Sequence, residues 1–526
     1  LDLMGEGIRK TGIGGTDMDI RTRRQFLKQV GAGVFAAGIG PSLARDLGLS
    51  TLHADQDAER LTFGSLEPLV SLMQETPVAK LQGLLVNKFK DGQVTAKDLI
   101  GAAALANART FGGDDYVGFH SMFALMPALA LSKEMAPERQ LLPILKAVYR
   151  NSNRIQEFGG GKKEVLHPVA PAPLPEGKLG GQALRDAVRS KDLKGAEAML
   201  AGLCKSSPSE AFEHLQSALH DSTEVHRVNI AYRAWGLLDI VGLENATTLL
   251  RESLHYFVAA EGSKNRDHFS GARALLPKLM DQYGLCCQPP GSRKPEDAWV
   301  EQTSISLFAA TPEGAAEIAA AALKEGISPD GLHEAIALAA NQMVLRDDNK
   351  QAHGATNGVH CCDAVNAWRN IGKVSSPFNA FAAAIMGAYN FAFDRDNPKR
   401  NKFQEWEPYP RRDAREAVKT NEPAQLLREL DDAIRAKDQA RAAALVQRYG
   451  DAGAPAAPVF EIFRRYVLSE DGSLHGEKYF RTVTEEFQTG RAPFRWRQLT
   501  GMARYAASMY GEAAPGYGEA VKLLGL

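Results

Sequence analysis

Four of the twelve histidines in this 526-residue chain recur at matched places. His120 follows Gly118-Phe119 and His360 follows Gly358-Val359, at an offset of 240 residues. His226 and His475 form a second pair at an offset of 249. A neutral imidazole can ligate a transition metal or carry a proton near neutral pH. A structural histidine bonded to a backbone carbonyl would recur just as well, so repetition alone leaves both roles open. Asp363 lies three residues after His360 and shares its helical face, as a second metal ligand or as a carboxylate orienting an imidazole base. Cys361 points about 100° away from that face, so His360, Cys361, Cys362 and Asp363 cannot all converge from one regular helix. The first-half counterpart of Asp363 is Phe123, which makes any such site asymmetric. The expected catalytic set is therefore His120, His226, His360 and Asp363. The expected metal set is His120, His226, His360 and His475, holding a transition metal ion in a cleft where the imidazoles approach within a few ångströms.

The elements that must position these residues read as helices. Apolar residues recur at helical spacing in Asp330 to Val344 and in Leu426 to Tyr449, and strand-like alternation is nearly absent. The expected fold is all-α, and Asn357 is the expected cap of the helix that carries His360. Self-similarity extends beyond the histidines. Tyr149 falls on Tyr389 and Pro168 on Pro408 at an offset of 240, and Leu184 to Leu200 falls on Leu430 to Val446 at 246. The offsets drift in one direction, as loop insertions between equivalent helices would produce. Two homologous halves, residues 62–290 and 291–526, related by a pseudo-two-fold axis, are the natural reading. Pro/Gly-rich stretches near residues 159–181, 288–291 and 394–423 fall where linkers belong.

Other clusters carry weaker signals. His220, Asp221 and Glu224 precede His226 and read as a solvated charged face. Glu252-Ser-Leu-His255 has the Glu-x-x-His form of di-iron helical bundles, but its other copy, Glu164-Val-Leu-His167, lies in a Gly/Pro-rich stretch. No Cys-x-x-Cys-His, His-Glu-x-x-His, Gly-x-Ser-x-Gly or complete phosphate-binding loop occurs. Five cysteines, two adjacent pairs and Cys204, make no disulfide framework; a bridge between the pairs and simple core packing both stay open.

Charge sets further bounds. Lys+Arg 62 against Asp+Glu 63 leaves a net charge of -1, which provides no general field for nucleic acid or an anionic membrane. Arg23-Arg24-Gln25-Phe26-Leu27-Lys28, followed by the small apolar run Val30 to Ile39, reads as a twin-arginine leader. Residues 1–54 are then an upstream extension plus signal peptide, with Met18 as the natural start. The expected partner is the twin-arginine export machinery and the expected destination periplasmic or extracellular. The mature chain has no run of about 18 apolar residues, so no membrane span is expected.

The helices bearing Phe119-His120-Ser121-Met122-Phe123, Val225-His226-Arg227-Val228-Asn229 and Val359-His360 through Trp368-Arg369 resemble those of the questin oxidase-like proteins over about residues 90–395. The resemblance implies an all-helical fold and a flavin-independent oxygenase activity on polycyclic aromatic substrates, with His120, His226 and His360 at matched positions. The leading expectation is an exported oxidoreductase with a histidine-lined pocket for a small-molecule substrate between the halves. The alternative is a non-catalytic helical scaffold that binds a ligand or partner, with a surface groove and no convergent polar pocket.

Overall fold

The computed structural model describes residues 60–347, 356–397 and 410–526, and the leader segment lies outside them. Among the described residues the regular structure is all helical, with no strand and two isolated bridges, Arg293 with Ile327 and Glu470 with Ala513. Among them no helix is long and apolar enough to cross a membrane.

Ten helices frame the histidines: α1 (Ala96–Phe111), α2 (Tyr116–Lys133), α3 (Leu141–Phe158), α4 (Val225–Val241), α5 (Ala246–Glu261), α6 (Pro329–Arg346), α7 (Thr356–Lys373), α8 (Pro377–Asp396), α9 (His475–Thr489) and α10 (Arg495–Met509). Local chemistry starts and stops them. Thr95 and Asp98 form a capping box at the start of α1, and Gly112 closes it at φ 55°. The Asp115 carboxylate caps α2 by accepting from the Gly118 amide at 2.7 Å. Helix α7 begins at Thr356, so Asn357 lies in its first turn rather than before it.

Packing explains the Gly-x-His step in both α2 and α7. A Cβ at Gly118 would stand 2.6 Å from the Phe111 ring of α1, and one at Gly358 would stand 2.5 Å from the Val344 amide of α6. Each glycine lets its helix cross a neighbour at close range, two residues before the histidine turns inward. Helices α1 to α3 pack on one another, as do α6 to α8, while α5 lies against α4 and α10 against α9.

The stretches 62–290 and 291–526 interleave within one compact body. Helix α4 packs on α7 and α2, and α9 packs on α2 and α7. The four helices form a closed ring in the order α2, α4, α7, α9, with one histidine near the start of each. The histidines of this ring are buried except for the half-buried His360.

Candidate functional site

The four imidazoles meet. Ring centroids lie 4.8 Å apart for His120 and His226, 5.3 Å for His226 and His360, 4.6 Å for His360 and His475, and 5.6 Å for His475 and His120. One ring nitrogen from each of His120, His360 and His475 falls within 4.8 Å of the others. The Nε2 atoms of His360 and His475 are 3.0 Å apart. That is the length of a hydrogen bond between the two rings, and it also falls at the lower edge of the roughly 3.0–3.4 Å that separates two imidazole ligands held about 2.1 Å from one ion. His226 borders the trio.

The rings are oriented through their other nitrogens. His120 Nδ1 donates to the Tyr116 carbonyl at 2.7 Å, and His475 Nδ1 donates to the Gly472 carbonyl at 2.9 Å. His226 Nδ1 donates to Glu224 Oε1 at 2.6 Å. Each bond leaves a lone pair on Nε2 facing the centre, the arrangement that metal-ligating histidines share. The Nε2 atoms of His120 and His226 are buried and have no hydrogen-bond partner. A buried, unpaired polar atom costs about 1–3 kcal/mol, so two side by side in a native core call for a ligand. Burial, then the charge of Lys478 and the neighbouring imidazoles, holds the His120 pKa well below its ordinary value, which keeps the ring neutral and ligand-competent.

Backbone strain lies at the same place. Gly472, Ser473 and Leu474 carry φ of 45°, 49° and 64°, three left-handed residues in succession immediately before His475. Such a conformation costs of order 1–3 kcal/mol at a non-glycine residue and persists where surrounding structure enforces it. Here it turns the Gly472 carbonyl onto the His475 ring.

Aromatic side chains pack around the rings. Tyr116 lies 4.3 Å and Phe119 5.0 Å from the His120 ring, centroid to centroid. Tyr256 donates its hydroxyl to Glu224 Oε2 at 2.6 Å, which makes a chain from Tyr256 through Glu224 to His226. Glu224 Oε2 also caps α4 by accepting from the His226 amide at 2.8 Å.

Asp363 departs from the expectation. Its Oδ1 accepts from Arg233 at 2.8 Å and from Thr482 at 3.3 Å, so it forms a buried ion pair one turn below the imidazoles and orients none of them. The reason is tertiary: α4 delivers a guanidinium to the face of α7 where Asp363 points. The His220 region is likewise no solvated face. His220 is buried at 6.0 Å from the Trp368 ring, and burial pushes its pKa down to about 3. Asp221 is buried beneath Arg185 and Arg189.

His255 bonds Glu197 at 2.8 Å and Asp114 at 3.4 Å; burial lowers its pKa, but the two carboxylates outweigh that and raise it to about 9. Glu252 beside it is buried, with both oxygens unpaired, and burial pushes its pKa up to about 8. Glu164 pairs instead with Arg109 and Arg60, so the two Glu-x-x-His copies form no shared centre. The five cysteines are free thiols, with Cys361 and Cys362 buried and Cys286 and Cys287 exposed. His353 lies outside the described residues.

Sequence reasoning missed Lys478, Asn229 and Arg233. Each lies three or seven residues after a matched histidine, a helical spacing that could have singled them out. Two surface grooves, one lined by Phe63, Cys204 and Arg251 and the other by Met135, Arg139 and Tyr517, lie away from the imidazoles. Comparison with protein-family models, with curated proteins and with solved structures found no match to this chain.

Proposed function

We propose that this protein is a metal-dependent oxidoreductase. In this reading His120, His360 and His475 hold one transition metal ion through Nε2, and His226 is the fourth imidazole. The observation that carries it is the convergence of four rings, three buried and that of His360 half-buried, with Nδ1 of His120, His226 and His475 hydrogen-bonded away from the others. An all-imidazole donor set suits zinc, copper, iron or nickel. The surrounding aromatic wall favours chemistry that must be kept from water, and the Tyr256–Glu224–His226 chain offers a route for a proton toward the site. A scaffold whose histidines serve only packing would engage both ring nitrogens; here the Nε2 atoms of His120 and His226 are unpaired.

The duplication is part of the same proposal. Helices α2 and α7 carry identical spans at an offset of 240 residues, each with its histidine in fifth place. They occupy opposite corners of the ring of helices, as α4 and α9 do, which is the placement a two-fold axis through the imidazoles would give. We also propose export through the twin-arginine pathway, which carries folded proteins and would deliver the ion already bound. Replacing Arg23-Arg24 by lysines should then keep the protein in the cytoplasm. The questin oxidase-like resemblance points to an oxygenase on aromatic substrates as the first activity to assay.

Metal analysis of the full chain tests the core of the proposal. One transition metal ion per chain is expected, with loss of the ion in His360→Ala and His475→Ala variants that retain helical circular dichroism. Wild-type protein that takes up none of zinc, copper, iron or nickel on reconstitution would overturn it.

A further inference from the structure

Two side chains of α3 fasten the turn that precedes His475. Lys146 is 2% exposed, and its ammonium donates to the Val467 carbonyl at 2.5 Å and to the Glu470 carbonyl at 2.6 Å. Its third contact is Glu477 Oε1 at 2.6 Å, two residues past His475. One turn further along α3, Arg150 pairs with Asp471. Val467, Glu470 and Asp471 on one side and Glu477 on the other bracket the left-handed residues Gly472, Ser473 and Leu474, so the strained turn is held from both ends. Its leading flank is also tied to the last stretch of the chain. Glu470 Oε2 accepts from the Gly511 and Glu512 amides at 2.8 and 3.0 Å, and the Asp471 amide donates to the Glu512 carbonyl at 2.7 Å.

A buried ammonium with three oxygen acceptors makes strong, well-directed bonds, because the low-dielectric surroundings strengthen each of them. A left-handed turn at non-glycine residues relaxes unless its surroundings enforce it. What depends on this turn is the Gly472 carbonyl, which accepts from His475 Nδ1 at 2.9 Å and so fixes which ring nitrogen carries the proton. The turn before His226 is fastened in a related way. Thr223 stands three residues before His226, as Gly472 stands before His475, and its carbonyl accepts from Asn390 Nδ2 at 2.9 Å. Asn390 lies on α8, 240 residues after Arg150, the offset that relates His120 to His360. In each case the helix that follows a Gly-x-His helix holds the turn before another of the four histidines. Packing indifferent to the imidazoles would have no reason to fasten both turns from these two helices.

Building on the metal-site reading, we propose that Lys146 and Arg150 are positioning residues for the metal ligand His475. They act through the backbone rather than on the ion: they hold the segment 467–477 closed, keep the Gly472 carbonyl on Nδ1, and thereby leave Nε2 for the metal. Without them the turn relaxes, the carbonyl moves off the ring, and the proton redistributes between the two ring nitrogens. Side chains early in the chain thus set the geometry of a ligand carried more than 300 residues later.

The test uses the full chain with its histidines labelled with nitrogen-15. Long-range nitrogen–proton spectra of the metal-free protein read the tautomer of each ring, and a His475→Gln variant assigns the His475 signal. Titration with Co2+ then reads affinity and, through visible absorption, the ligand set. In the wild type His475 should carry its proton on Nδ1. Lys146→Met combined with Glu477→Gln removes the ammonium without stranding its carboxylate; it should give a tautomer mixture at His475 and weaken Co2+ binding at least tenfold. Arg150→Gln removes the half-buried part of the clamp and should do the same to a lesser degree. Arg109→Met breaks a buried pair with Glu67 and Glu164 instead, and should lower stability yet keep the tautomer and the Co2+ affinity. An unchanged tautomer and Co2+ affinity in the folded Lys146 variant would overturn the positioning role, as would an unchanged Arg150→Gln if that variant alone folds. An equal effect in Arg109→Met would also overturn it, because general loosening would then be the cause. Wild-type protein that takes up no transition metal would overturn the metal-site reading by itself, and the tautomer spectra, which need no ion, would still decide the clamp.

Discussion

Replacing His120 by phenylalanine should stabilise the metal-free protein and abolish its stabilisation by metal. The ring of His120 is packed between Tyr116 and Phe119, its Nδ1 adds only a second bond to a helical carbonyl, and its Nε2 is a buried acceptor without a donor. Phenylalanine keeps the stacking, fills space kept for an ion and removes the unpaired atom, a gain of about 1–3 kcal/mol. A body of this size unfolds with an entropy of roughly 1 kcal/mol/K, so the metal-free Tm should rise by about 1–3 °C. Metal at a hundredfold excess over its Kd should stabilise the wild type by about 2.7 kcal/mol, or about 3 °C, and the variant far less. The gap between the two melting curves should therefore shift by about 3 °C toward the wild type on adding metal, inverting their order wherever the metal-free gain is below about 2.7 kcal/mol. Differential scanning calorimetry with and without a chelator reads both quantities, with His120→Leu as a smaller control against overpacking. A variant that melts lower without metal and keeps the full metal-induced rise would refute the reasoning, because His120 would then be an ordinary packed side chain.

Three further outcomes follow from neighbouring groups. Glu224→Gln weakens the acceptor that orients His226 and should lower metal affinity 10–100-fold in competition with a chromophoric chelator. Arg233→Met leaves the Asp363 carboxylate buried without its cation and should destabilise the fold by about 3–5 kcal/mol in urea unfolding. Glu252, pushed up to about 8 by burial, holds a proton that the unfolded chain releases near its ordinary value of 4.5. Its contribution to stability therefore falls as pH rises from 4.5 through 8. Glu252→Gln should match the wild type near pH 4 and exceed it progressively to pH 8.5, by an upper bound on the order of 5 kcal/mol, read from urea midpoints at each pH.

The amino-acid sequence alone determined the helical class and the four histidines. Helical periodicity is a local property, and the Gly-x-His steps at 118–120 and 358–360 repeat at one offset, so both can be read without knowing what touches what. The spacing of Asp363 from His360 was legible in the same way, but its partner was not. A three-residue interval says which face a carboxylate shares, and nothing about the guanidinium that another helix, 130 residues away in the chain, brings to it. The same limit hid the role of Glu224, which shares a charged stretch with His220 and Asp221 in the sequence and caps α4 in the fold. Only the tertiary structure decided that α2, α4, α7 and α9 close into a ring, because that depends on close crossings such as Gly118 on Phe111 and Gly358 on Val344. Residue type sets what an imidazole can do; helix packing, acting over hundreds of residues, sets whether four of them share one point.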